Sequence, residues 1–402
     1  MMKMIAFLSG ELSNAAKYFS SFANVSSDNV NNVKGTFGND QSSTWQPWSY
    51  DSRKKVAKCV ETFKKKVQKQ NLVESSKRSK ITSFISSQKS RQEYEPLIGK
   101  LVDRIHVDPL HLKNNACALA HRHLLNEVLL LSQLSHSVHA FSQVPNNSPF
   151  STYIKTMRNK CHLSRLANKV VKWFDESKRV SNNFDYRFTG KDSRCFLQNF
   201  MFLINAMRPF LKDGTSTCFK FHVLAYVCLL LRDCVSAFTR IHITNEQIDE
   251  LEEKCRDYFI LNCKFLTPHP TAWTLGIIVP AHTRDMKLKY DLGLGLNAME
   301  GREAKHISIC RYSKNTNYKR RWEQIFLHEH VSLIWLRERG YNRENPIRSC
   351  NLRYIPKRTT DNPDLFCYCG LEKEGLAGLG CVFCSDPLRL VIKEKVQKAA
   401  CG

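Results

Sequence analysis

The sequence predicts an α/β protein with a large helical insertion and a small Cys-rich C-terminal module. Three observations lead there. A short apolar-alternating run, Leu101 to Val107, stops at Asp108-Pro109 and reads as a strand, because proline cannot continue a central ladder. Amphipathic stretches at helical spacing fill residues 140–270. Near the end, Cys367-x-Cys369 is followed by eleven residues and then Cys381-x-x-Cys384.

The elements divide the chain into six segments. Residues 1–25 open with an apolar piece, Met4 to Leu8, readable as a strand followed by a helix or as one helix. Residues 26–92 form a basic linker or arm. Its first part is rich in Ser, Asn, Asp and Gly and reads as loop. From Arg53 to Arg91 it holds 13 Lys+Arg against two acids, Glu61 and Glu74. Val56, Val60, Phe63 and Val67 recur at helical spacing there, which turns the lysines to the opposite face. Such a face suits either plain solvation or phosphate contact.

Residues 93–139 carry the predicted strand, Asp108 and a helix over Leu110 to Leu134. An aspartate at the end of a strand is a usual place for a catalytic or metal-binding carboxylate, although Asp-Pro also simply favours a turn. Residues 140–270 contain helical runs at Tyr153–Phe174, Cys195–Leu211, Phe219–Phe238 and Ile248–Phe265. Their apolar positions, such as Leu203, Ile204, Met207, Phe210 and Leu211, read as core.

Residues 271–345 carry a helix with Glu300, Glu303 and His306, beside Arg302 and Lys305. Lys319-Arg320-Arg321-Trp322 follows, a cation cluster whose aromatic suits either burial or stacking on a base. Residues 346–402 hold the four cysteines Cys367, Cys369, Cys381 and Cys384, with Gly370 and Gly380 placed for tight turns. Two such knuckles suit tetrahedral Zn²⁺, though the first pair is spaced one residue closer than usual.

Composition narrows the function. Lys+Arg number 61 against 37 Asp+Glu, a formal net charge of +24, which favours a polyanionic partner. Sixteen Cys are scattered, several in apolar runs, and no leader-like segment or ~20-residue apolar span is evident. Reduced thiols and an intracellular, nuclear setting are therefore expected. No phosphate loop of the Walker type, GxSxG or HExxH motif is present. Two segments far apart, Arg104 to Asn115 and Leu296 to His306, each set carboxylates among basic and amide side chains.

These segments carry a resemblance. Ile105-His106-Val107-Asp108, with Asn114-Asn115 downstream, resembles the segment holding the second catalytic Asp of the V(D)J recombination-activating endonuclease and its Transib-type transposon relatives. Met299-Glu300-Gly301-Arg302-Glu303-Ala304-Lys305-His306 resembles their final catalytic Glu helix. Ala281-His282 resembles a zinc-ligand position of that family, and Asp185-Tyr186-Arg187-Phe188 with Arg194 resembles a basic piece of its insertion.

The likeness spans roughly residues 1–330 and implies a partial RNase H-like core interrupted by a helical domain. It implies DDE chemistry with Mg²⁺ or Mn²⁺ held by Asp108 and Glu303, Glu300 being the second choice. DNA contacts are expected from Lys113, Arg302, Lys305, Lys319, Arg320 and Arg321, with a second copy of the chain as a possible partner. No residue matches the family's first Asp; Asp28 and Asp51 lie in polar linker. The expectation is a transposon-derived DNA-binding protein with a degenerate, inactive core. The alternatives are an active Mg-dependent transposase or endonuclease in a longer chain, and a zinc-stabilised nucleic-acid-binding scaffold without catalysis.

Overall fold

In a computed structural model, residues 2–12, 17–135, 137–177, 184, 186–315, 318–338, 354–374 and 380–401 are described. The α/β expectation does not hold. Helices make up 65% of the structure, and no strand or sheet occurs among the described residues. No sheet core of the RNase H type is therefore seen; only five isolated bridges join extended segments.

Fifteen α-helices are described: α1 Met2–Leu8, α2 Tyr50–Gln68, α3 Glu74–Ser87, α4 Pro109–Ser132, α5 Pro149–Asn159, α6 Ser164–Ser177, α7 Gly190–Asn205, α8 Ser216–Phe238, α9 Asn245–Phe265, α10 Pro270–Trp273, α11 Val279–Tyr290, α12 Glu300–Asn315, α13 Arg321–Glu338, α14 Lys357–Asp361 and α15 Pro387–Cys401.

Each supposed strand failed for a local reason. Met4 to Leu8 lies in α1, the helical alternative. Leu101 to Val107 is a 3₁₀ turn, Gly99–Arg104, followed by extended residues. Leu101 is exposed while Val102 and Val107 are buried, so no continuous face forms, and nothing pairs alongside. Asp108 then begins α4 instead of ending a strand: its carboxylate accepts from Leu110 and His111 N–H, with Pro109 in the first turn.

The helical block is close to expectation. Tyr153–Phe174 splits into α5 and α6, with His162 at φ +55° between them. The other three runs match α7, α8 and α9. One hydrophobic cluster runs from Phe22 to Val396 and joins these helices to α4, α11 and α15. Helix α8 lies at its centre. By length and composition α8 could cross a membrane, but 89% of its most apolar stretch is buried inside the protein. Where α9 meets the next segment, a Cβ on Gly276 would lie 2.4 Å from Phe259 Cβ, so only glycine allows that approach. Residues 274–278 form a π-helical turn just before Pro280, whose missing N–H interrupts the regular ladder.

The polar stretch read as linker is irregular yet anchored. Trp45 is fully buried, edge-on to Phe259 and Trp273. The buried Glu11 carboxylate pairs with both Arg53 and Arg91. Arg53 also donates to Ser21 O and Arg91 to Leu12 O, which ties α1, α2 and the segment before α4 together.

His121 sits in this interior among Tyr153, Phe184, Phe188 and Phe196. Neither ring nitrogen has a hydrogen-bond partner among the described residues. Burial, helped by Arg122, pushes its pKa down to about 3, and burial likewise takes His282 to about 3 and His123 to about 4. The unfolded chain binds these protons near pH ~6.5 and the folded one does not. Stability is therefore full above that pH and falls as the solution is acidified towards ~4. Melting temperature should drop across that window, and His121→Phe should flatten the drop; an unchanged pH profile in the variant would contradict this.

Candidate functional site

Two clusters concentrate chemistry. The first is the cysteine module. Cys367, Cys369, Cys381 and Cys384 offer sulfurs that all lie within 4.8 Å of one another. Tetrahedral ligands at a Zn–S distance of about 2.3 Å would stand ~3.8 Å apart. Cys369 and Cys381 sulfurs are 3.3 Å apart, well beyond a disulfide bond of about 2.05 Å. The described cysteines are free throughout. The cluster could bind a metal ion such as zinc, and among the described residues it is the one grouping of three or more metal-ligating side chains at such spacing.

Local backbone explains the convergence. Cys367 N–H donates to Leu371 O and Gly370 N–H to Cys367 O, closing a tight turn around the first pair. Gly370 stands at φ +100°, and a Cβ there would also lie 2.7 Å from Arg358 Nη2. Ser385 N–H donates to Cys381 O, closing the second turn. The thiols compete for protons: hydrogen bonding with Cys369 draws the Cys367 pKa down, and the same contact pushes Cys369 up.

Two arginines fasten the first turn to the helical core. Arg232 of α8, fully buried, donates to Tyr368 O at 2.8 Å, with its guanidinium 4.4 Å from the Tyr368 ring. Arg358 donates to Gly370 O at 2.6 Å, and to Gln198 O and Asn199 Oδ1 of α7. Four thiolates around Zn²⁺ carry two net negative charges, and two guanidiniums stand beside them. Sequence reasoning missed both arginines. The available signal was Arg232 inside Leu229-Leu230-Leu231-Arg232, because a charge in a core helix needs buried partners.

The second cluster joins the two segments singled out in the sequence. Asp108 Oδ1 accepts from Met299 N–H at 3.0 Å, next to the start of α12. His111 Nδ1 bonds Asp108 Oδ2, and His111 Nε2 lies 3.9 Å from Glu303 Oε1. One imidazole thus stands between the two carboxylates. Lys113 donates to Glu300 at 2.8 Å and to the Tyr354 hydroxyl at 3.0 Å. Burial opposes ionisation of Asp108, but the bonds from His111 and Met299 outweigh it and hold its pKa below the usual carboxylate value. A cavity of about 270 Å³ opens alongside, with Phe19, Phe22, Asp108, His111 and His269 in its wall.

The expected site residues are therefore unequally placed. Asp108 and Glu303 come together, but Asp108 already accepts three N–H bonds and the His111 ring. Lys113 is buried, and its ammonium points to Glu300 and Tyr354 rather than to solvent. Lys305 pairs with Glu329. Lys319 and Arg320 are exposed, and Arg321 is half-buried at the start of α13. The Arg302 side chain and Asp185 lie outside the described residues. His282 accepts from Val107 N–H at 3.1 Å, while neighbouring His106 bonds Asp285 at 2.7 Å.

In comparisons with known proteins, no family model and no curated relative matches the chain.

Proposed function

We propose that the protein binds duplex DNA through a lysine-bearing helical hairpin carried on a zinc-fastened helical core. The observation that carries this reading is the α2–α3 pair. Phe63 and Phe84 stack at 4.1 Å, and Leu12, Val60 and Ile85 are buried between the helices. Lys55, Lys58, Lys66 and Lys69 remain exposed and form no ion pair among the described residues. The net charge of +24 and the exposed Lys319 and Arg320 support the same partner. So does the likeness of two segments to enzymes that act on DNA, which also favours a nuclear setting. Cations displaced from about four phosphates would give a log–log salt slope of roughly −4. The test is a fluorescence-anisotropy salt titration on a short duplex, where a flat dependence would refute phosphate contact.

A second reading rests on the meeting of Asp108 and Glu303 at His111. A divalent ion held there by the two carboxylates would support strand cleavage once His111 swung aside. Supercoiled plasmid with Mn²⁺ would then be nicked by the native chain and left intact by Glu303→Gln. Equal nicking by both, or none by either, excludes this role for Glu303. On the first reading the cluster is structural, pinning the start of α12 to the start of α4.

A further inference from the structure

The cavity beside Asp108 is built more like a ligand pocket than a packing defect. At about 270 Å³ it lies near the lower end of small-molecule sites, roughly 300 Å³. Its wall is mostly apolar, and Phe19 and Phe22 supply aromatic rings there. Both rings are held by neighbours: Phe19 is edge-on to Trp273 at 6.2 Å, and Phe22 is edge-on to His282 at 4.9 Å. Such walls suit a flat molecule and need no rearrangement to receive it.

Two histidines in the same wall are set in opposite hydrogen-bonding roles. Thr271 N–H donates to His269 Nδ1 at 3.1 Å, so the His269 ring keeps its one hydrogen on Nε2. Burial, with Arg122 nearby, holds the His269 pKa below the ordinary histidine value and keeps that ring neutral. His111 is the reverse. Its Nδ1–H donates to the Asp108 carboxylate, which leaves a lone pair on Nε2 of the neutral ring. Neither Nε2 has a hydrogen-bond partner among the described residues; Glu303, 3.9 Å from that of His111, is beyond reach. One cavity thus offers a donor, an acceptor and aromatic walls.

We propose that this cavity binds a small planar heterocycle of the lactam type, whose ring N–H donates to His111 Nε2 and whose carbonyl accepts from His269 Nε2–H. The inference rests on neither reading above: it needs no DNA, and it uses His111 where it stands on Asp108. The probes are 2-pyridone, N-methyl-2-pyridone and toluene, each titrated against the full chain by ligand-observed NMR. The lactam 2-pyridone should bind, and its N-methyl analogue roughly tenfold more weakly for want of one hydrogen bond. Toluene should be weaker still. His111→Phe should bring 2-pyridone down to the level of the N-methyl analogue and leave the analogue unchanged, a selective loss that unfolding would not give. Asn115→Trp should weaken both, because Asn115 is exposed on α4 and lines the cavity, so an indole there blocks it without disturbing the core. No binding of 2-pyridone to the native chain, or equal affinity for 2-pyridone and either other probe, would overturn the site. Undiminished 2-pyridone binding by Asn115→Trp would overturn it as well, by placing the ligand elsewhere.

Discussion

With the cysteine cluster holding zinc as proposed, Cys369→Ser should lose the metal, and with it the turns of residues 365–374 and 380–385. Metal binding in small Cys-ligated modules supplies folding free energy of order ~10 kcal/mol. The backbone here is mostly turns around the sulfurs, joined to the core by buried Leu371 and Phe383, by the Arg232 and Arg358 bonds to Tyr368 and Gly370 carbonyls, and by the Tyr368 hydroxyl on Asp233. Without metal, four crowded thiols remain with no common ligand, and Arg232 is left buried beside a loosened turn. Helix α15 should loosen too, since Ile392 and Val396 bury against the core directly after the second knuckle. Helices α4 to α9 keep their own interior and should stay folded. Hydrogen exchange read by mass spectrometry, with and without a zinc chelator, measures this directly. Equal protection of residues 365–385 in both samples would contradict a metal-held module.

Glu11→Ala should destabilise the amino-terminal half by about 3–5 kcal/mol, the usual cost of leaving a buried charge without its partner. The Glu11 side chain is fully buried and holds two guanidiniums, both almost inaccessible to water. It also accepts from the Ser21 hydroxyl at 2.7 Å. Removing the carboxylate leaves Arg53 and Arg91 close together in the interior without the anion that joins them. Urea denaturation followed by tryptophan fluorescence should show the midpoint fall, because Trp45 and Trp48 sit in the segment this cluster anchors. A variant within experimental error of the native midpoint would show that the cluster contributes nothing to stability.

The helical block was legible because its apolar residues repeat over many turns, as Leu203, Ile204, Met207 and Phe210 do. The cysteine cluster was legible because ligand geometry constrains spacing along the chain. The Asp108 and Glu303 segments do meet, although no supporting sheet is seen among the described residues. Leu101 to Val107 misled because a run this short has no distinguishing period, and whether it pairs depends on neighbours the local sequence does not specify. Asp108-Pro109 was informative in the other direction: a side chain that accepts N–H bonds followed by proline is the signature of a helix start. Lys113 was misplaced because charge alone does not reveal burial; Glu300 and Tyr354 reach it from distant parts of the chain. The polar segment before α2 looked like linker because its few anchors, chiefly Trp45, are scattered among Ser, Asn and Gly.

The most direct measurement of the central claim compares the native chain with a variant carrying Lys55→Glu, Lys58→Glu, Lys66→Glu and Lys69→Glu, both loaded with zinc, in a duplex-DNA salt titration. These side chains are exposed and should leave the fold and metal content unchanged. The account predicts that native affinity falls steeply with salt, and that the variant binds weakly with a slope shallower by roughly four, about −0.9 for each phosphate no longer neutralised. Identical affinity and slope for the two proteins would contradict the assignment of the α2–α3 hairpin as the DNA-binding surface.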